Sequence, residues 1–348
     1  MISVQVLRCI AAVIVVIFHV SEKTRLTTGT GFFQIGVVGV DIFFVISGFI
    51  MMLVSSKNTN AKVFFLKRIE RVVPVYWFYT TVALCVFLLF PSLINSNKAG
   101  TAIWQSYLLI PEQNESFLLQ VAWTLSYEMV FYILFSVGLY FKFNPTRFLF
   151  IIIPLFVGVG KLSENYYMRV LFSPIIFEFL YGVIAYHIYI RVSLIKDKYI
   201  RVALPVVFII FSLLCFSYFN YCDSSTYNEM VKVRFLHLGL PSLLFVISCM
   251  LLEPYFKASM LMRKLSYVGD SSYSLYLSHL FTINFVFIVI KYFGGEIDSI
   301  YSILLSVSAS IIAGVFAYEI IEQRSIYLCV NKLKNGFKNS FPLKKYLL

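Results

Sequence analysis

The sequence predicts an all-α integral membrane protein: a polytopic bundle of about ten transmembrane helices with both termini cytoplasmic. Three observations carry that prediction. Of the 348 residues, 60% are hydrophobic and 13% charged, a charged share about half that of soluble domains. Apolar runs close to the roughly 20 residues that a helix needs to cross a bilayer recur along the whole chain. Lys and Arg fall mainly in alternate loops between those runs. A soluble enzyme, a disordered chain and a nucleic-acid module are excluded on these grounds.

Ten segments qualify as spans: 2–20, 35–55, 72–91, 121–141, 147–164, 170–190, 202–220, 235–252, 272–291 and 300–320. The fifth is the weakest, interrupted by Pro154, Gly158 and Gly160. Trp104 to Ile110 is too short to span and is expected in the interface. Residues 1–20 lack the positive n-region and the small-residue cleavage site of a signal peptide, and Arg8 breaks their apolar run. They read as a retained first span. Residues 1–322 then form the membrane domain, and 323–348 a basic tail at the cytoplasmic surface.

The formal charge is +12. Loops 56–71, 142–147, 191–201, 253–264 and the tail carry 20 Lys and Arg, against 8 on the other side. That bias places both termini in the cytoplasm and accounts for most of the basic charge. Nucleic acid is therefore not needed as a partner. The six cysteines form no CxxC or Cys/His cluster, so no metal site is expected.

Ionisable groups inside apolar spans are costly and point to function. Arg8 and His19 are 11 positions apart, about 20° from three full turns, so both point one way, separated by roughly 16 Å along the axis. Asp41 sits in a Gly-rich apolar run and needs a partner, either His19 or an Arg. Gly36, Gly39 and Gly48 suit close helix packing. Arg68 and Arg71, at i and i+3, open the third span and suit phosphate oxygens. Glu128 and Tyr132 share a face of the fourth span. Glu178 lies in the sixth. Ser272, Tyr276 and His279 form a stripe on the ninth. This mixed acid and base set suits transfer chemistry or proton-coupled transport better than a channel.

Five ordered motifs carry a resemblance: Arg8-x10-His19; Gly39-Val-Asp41-Ile-Phe-Phe-Val-Ile-Ser-Gly48; Arg68-x-x-Arg71 with Pro74; Trp123-Thr-Leu-Ser-Tyr-Glu128 with Phe131-Tyr132; and Ser272-Tyr-Ser-Leu-Tyr276-Leu-Ser-His279. With them the chain resembles the acyltransferase type 3 family of membrane O-acyltransferases, of the exopolysaccharide and O-antigen O-acetyltransferase kind. The resemblance implies about ten spans, acetyl-CoA as acyl-donor substrate without a permanently bound cofactor, and a carbohydrate acceptor, lipid-linked or polymeric. It also implies an essential His19 and donor-binding roles for Arg8, Arg68 and Arg71. Where the family has Glu-x-Pro, this chain has Glu322-Gln-Arg324, which leaves Glu322 without an expected role.

The expected activity is acetyl transfer to a sugar hydroxyl of a surface polysaccharide or its lipid-linked precursor, in the inner (cytoplasmic) membrane. His19 serves as general base or acyl carrier, Asp41 orients it, and Glu128 completes the catalytic set. Tyr132, Glu178, Tyr276 and His279 are expected pocket residues. A homo-oligomer is compatible with the sequence. The alternative is a proton-coupled transporter or flippase for a polar or anionic solute, with His19, Asp41 and Glu128 as relay.

Overall fold

Ten helices long and apolar enough to cross a membrane run through the chain: Ile2–Thr28, Gln34–Ser55, Ala61–Leu89, Gln120–Tyr140, Pro145–Leu162, Tyr166–Val192, Arg201–Tyr221, Phe235–Phe256, Ser272–Tyr292 and Ile300–Glu322. The computed structural model describes residues 1–29, 33–56, 60–91, 100–113, 115–192, 197–222, 224–256 and 259–324. Each helix overlaps one expected span. They are called the first to tenth spans below. Most of the expected tail, from 325 onward, lies outside the described residues. The chain is a multi-pass all-helical membrane protein. Its β structure among the described residues is one two-residue parallel pairing, Gly100–Thr101 with Glu115–Ser116.

Two boundaries differ from expectation in ways that matter. The first helix continues to Thr28 and ends on left-handed Gly29. The third begins at Ala61, eleven residues before its apolar run, with the Asn60 side chain capping the amides of Lys62 and Val63. A capped start outside the apolar stretch satisfies the orphan amides of the first turn. Arg68 and Arg71 therefore sit inside a helix, not at its mouth.

The first span is central. It packs against the second, eighth, ninth and tenth spans and against a short helix, Met260–Asp270. Glu253 fixes its start by accepting the amides of Ile2 at 3.2 Å and Ser3 at 3.3 Å, together with the Ser3 hydroxyl. At the other end of the bundle, Asn220 accepts the amides of Gln34 and Ile35 and so caps the second span. Tyr267 on the short helix donates to Glu319 of the tenth span. The start of the first span and the end of the tenth thus lie on one face of the bundle.

In a lipid solvent, helices associate by close packing, not by hydrophobic exclusion. The second and sixth spans cross where Gly48 meets Gly182: a Cβ on Gly48 would fall 2.1 Å from the Phe179 carbonyl oxygen, and one on Gly182 2.2 Å from that of Val45. Gly39 makes the same kind of approach to the first span, with a Cβ there only 2.5 Å from the Ala11 carbonyl oxygen. These contacts hold the inward faces of the first, second and sixth spans in register. The expected interfacial stretch forms a short helix, Ile103–Leu108. Trp104 is exposed on it, while buried Ser106 bonds the Leu118 amide and accepts the Tyr76 hydroxyl on its carbonyl.

Candidate active site

The first, second, third, fourth and ninth spans enclose a cavity of about 110 Å³. A single water needs roughly 10–15 Å³ on the same scale. Arg8, Arg68, Arg71, Glu128, Tyr132 and Tyr276 all line it, with Ser47, Ser272 and Phe43. Six residues singled out from four separate sequence motifs therefore share one chamber inside the bundle.

The three arginines enter it with their donors largely unspent. Arg8 and Arg68 are buried. Arg8 makes one side-chain hydrogen bond, from Nη1 to Gln5 Oε1 at 3.1 Å. Arg68 lays its guanidinium over the Phe64 ring at 5.5 Å, and its buried Nε has no partner. Among the described residues, none of the three forms an ion pair. The one carboxylate in the lining is Glu128. It accepts Ser47 Oγ at 3.0 Å and the Tyr132 hydroxyl, both on Oε1. The i, i+4 spacing of Glu128 and Tyr132 is what lets one helix face supply both carboxylate and donor.

Glu322 also belongs to this region. It is buried, accepts Ser274 Oγ at 2.6 Å, and is an electrostatic neighbour of Arg8 and Arg71. The missing proline has not displaced it: the tenth span ends in a π-helical turn, Tyr318–Glu322, that turns the carboxylate inward. At the end of the short helix, half-buried Asp270 is another neighbour of Arg8 and Arg71. Burial holds its carboxyl above the ordinary range, and the two guanidiniums oppose that shift only in part.

His19 does not line this cavity. It lies farther along the first span, where its ring packs on that of His279 with centroids 5.0 Å apart. His279 is fully buried and likewise stands beyond the lining. Tyr276 joins the cavity to the histidine pair. Its ring faces the cavity, sits 5.9 Å from that of His279 and meets Phe43 edge-on at 6.1 Å. Its hydroxyl is fixed by Thr124 Oγ1 at 2.9 Å and by the Val121 carbonyl at 3.0 Å. The stripe of Ser272, Tyr276 and His279 thus runs from the arginines to the histidines.

Asp41 requires a correction. Its carboxylate is gripped by Arg234, Nε to Oδ1 at 2.9 Å and Nη2 to Oδ2 at 2.7 Å. No hydrogen bond or ion pair joins it to His19 among the described residues. Arg234 also donates to the Val37 carbonyl at 2.7 Å and lies 6.0 Å from the Trp123 ring. A fork-to-fork pair satisfies a buried carboxylate more completely than one imidazole N–H would. Glu178 is the second correction. It is fully buried outside the arginine cavity, as a neighbour of Asp41 and Arg234, with neither oxygen hydrogen-bonded. By charge counting Arg234 is one of the loop cations on the less basic side; its place directly before the expected span 235–252 gives no sign of burial.

Compared with known proteins, residues 1–319 match the family described as "Acyltransferase domain". The exopolysaccharide production protein ExoZ of Rhizobium meliloti is 31% identical over 296 residues, covering 78% of this chain and 82% of its own. The O-acetyltransferase OatA of Staphylococcus aureus is 26% identical over 347 residues, covering 91% of this chain and 55% of its own. The peptidoglycan O-acetyltransferase OatA of Listeria monocytogenes is 22% identical over 373 residues, covering 97% and 57%. The chain therefore spans little more than half the length of the OatA relatives. No solved structure matches it. Ten apolar spans, a cavity lined by the Arg8 and Arg68/Arg71 motifs, and a family match across nearly the whole chain lead to one conclusion: this protein belongs to the acyltransferase type 3 family and is a membrane O-acyltransferase.

Proposed function

We propose that the protein moves an acetyl group from cytosolic acetyl-CoA to a hydroxyl of a cell-surface polysaccharide or its lipid-linked precursor, at the cytoplasmic (inner) membrane. The observation that carries this reading is the set of three arginines with unpaired donors around one cavity. Inside a membrane domain such donors call for a polyanion, and guanidinium forks match phosphate oxygens. Phosphates of the donor occupy the Arg8, Arg68 and Arg71 chamber, which faces the cytoplasm. The thioester points past Tyr276 toward His19.

The acceptor hydroxyl approaches His19 from the opposite compartment. As general base, His19 takes the hydroxyl proton as the oxygen bonds to the acetyl carbon and the C–S bond breaks; the proton then passes to the departing thiolate. As acyl carrier, His19 holds the acetyl group between two such steps. Glu128, with Oε1 already engaged by two donors, is a polar wall of the donor chamber. The names of the relatives support the acceptor class: exopolysaccharide production for one, peptidoglycan O-acetylation for another.

The decisive experiment is mass spectrometry of the surface glycan from cells with and without the gene. Loss of about 42 Da per modified residue, the acetyl increment, is expected when the transferase is absent. The same loss is expected with His19→Ala or Arg8→Ala at matched protein levels. Glycan unchanged by deletion refutes the function, and full acetylation in both variants refutes the site.

A further inference from the structure

A catalytic imidazole needs a partner that fixes its tautomer and takes its second N–H. Asp41 cannot serve, because both its oxygens are bonded to Arg234. Among the described residues, no Asp, Glu, Lys or Arg is an electrostatic neighbour of the His19 or His279 ring. The tenth span, packed against both the first and the ninth, brings buried Ser306 and Ser310 to this region. Each donates its hydroxyl hydrogen to its own helix, to the carbonyls of Ser302 and Ser306, and among the described residues neither is hydrogen-bonded to the His19 ring.

What the structure does set beside His19 is His279. Its Nδ1 lies 3.2 Å from the Leu275 carbonyl oxygen. A carbonyl oxygen only accepts, so Nδ1 carries the hydrogen, and in the neutral ring Nε2 is left with a lone pair. That Nε2 is completely buried and has no hydrogen-bond partner among the described residues. A buried acceptor without a donor is costly and asks for an explanation. The nearest ring is that of His19, at 5.0 Å and tilted by 40°.

We infer that His279 is the positioning residue of His19, accepting the His19 ring N–H on its Nε2 when His19 is at work. The inference rests on the acetyl-transfer reading above. No direct bond joins the rings in the resting arrangement; a rotation of the His19 ring or one intervening water completes it. With one N–H committed to His279, His19 presents the lone pair of its other nitrogen to the acceptor hydroxyl. The hydroxyl proton moves to that nitrogen, the C–O bond forms and the C–S bond breaks. The imidazolium keeps its second N–H on His279 until the first proton leaves for the thiolate. A neutral imidazole does here what a carboxylate does in a triad, without burying an uncompensated negative charge in the bilayer core during the resting state.

The test uses the full chain in vesicles, with acetyl-CoA as donor, comparing His279→Gln, His279→Asn and His279→Phe. Gln places an amide oxygen near the position of Nε2; Asn places it near that of Nδ1. The expected result is a kcat lower by about 10²-fold or more in the Asn and Phe variants, with the KM for acetyl-CoA and the melting midpoint unchanged, and recovery of most of that loss by Gln. A Phe variant with wild-type kcat overturns the inference, as does a well-folded Gln variant no faster than Asn. Wild-type protein that transfers no acetyl group from acetyl-CoA overturns the functional reading itself, so the two failures are distinguishable.

Discussion

Arg71→Gln isolates the part of the donor site that the fold itself does not use. Among the described residues, Arg71 has no hydrogen bond and no ion pair, and its guanidinium is a like-charge neighbour of both Arg8 and Arg68. Removing it breaks no hydrogen bond or ion pair among the described residues; it relieves the repulsion from Arg8 and Arg68 and gives up the attraction of Glu322 and Asp270, which offsets that relief. The ligand-free variant should therefore melt close to the wild-type temperature. Its cost falls on the bound donor. A hydrogen bond to a charged group is worth about 1.5–3 kcal/mol, and each 1.4 kcal/mol is a factor of ten. The KM for acetyl-CoA should rise by about 10- to 150-fold, with little change in kcat, because the phosphate contact is the same in ground and transition states. Initial rates in proteoliposomes with acetyl-CoA and with acetyl-pantetheine, a thioester lacking the nucleotide, separate this from general damage. The effect should vanish with acetyl-pantetheine. An equal loss with both donors, or an unchanged KM for acetyl-CoA, refutes the assignment of the arginine chamber to donor phosphates.

Three further outcomes follow from the packing. Asp41→Leu should lower stability by about 3–5 kcal/mol, because it strands the buried Arg234 charge; Asp41→Leu combined with Arg234→Met should recover most of that loss, read as melting midpoints in detergent. Gly48→Leu should abolish the folded monomer in fluorescence-detected size exclusion, since even a Cβ there meets the Phe179 carbonyl oxygen at 2.1 Å; overpacking of this kind typically costs about 1–3 kcal/mol or more. For Asp270, burial favours the protonated carboxyl in the folded chain. Its contribution to stability is thus undiminished below its unfolded value and falls as pH rises through the raised folded value. Wild type should lose melting temperature relative to Asp270→Asn across that window, and identical pH profiles would contradict it.

Much of this site is readable from spacing alone, for a physical reason. Arg8 and His19 sit on an unbroken α-helix, where about 100° per residue holds over all 11 positions, and both do turn inward. The same rule brings Glu128 to Tyr132, and Ser272 to Tyr276 and His279. In each case the residues belong to one regular helix, so the sequence interval is the geometry. Depth is less legible. The third helix starts where Asn60 caps it, not where the apolar run begins, and hydropathy sees only the latter.

The misread residues lie where the helices stop being regular. The second and fourth spans and the longer helix of the sixth, Phe177–Val192, open with 3₁₀ turns, Gln34–Val37, Gln120–Ala122 and Pro174–Ile176, and the eighth span with a π turn, Phe235–Gly239. A 3₁₀ turn advances about 120° per residue, so angles indexed at 100° drift within three or four residues. These four openings lie on the same face of an up-and-down bundle. Asp41, Glu178 and Arg234 come from three of them, each at or just beside the irregular turn. Their assembly depends on how three spans far apart in sequence meet in space, and no single-helix interval encodes it. Charge counting then compounds the error, because an arginine at the start of a span is indistinguishable from an anchoring loop cation until its carboxylate is found. Once Arg234 takes Asp41, the choice of partner for His19 follows: the polar side chain left beside it with an unused acceptor is His279, four motifs and 260 positions away from it.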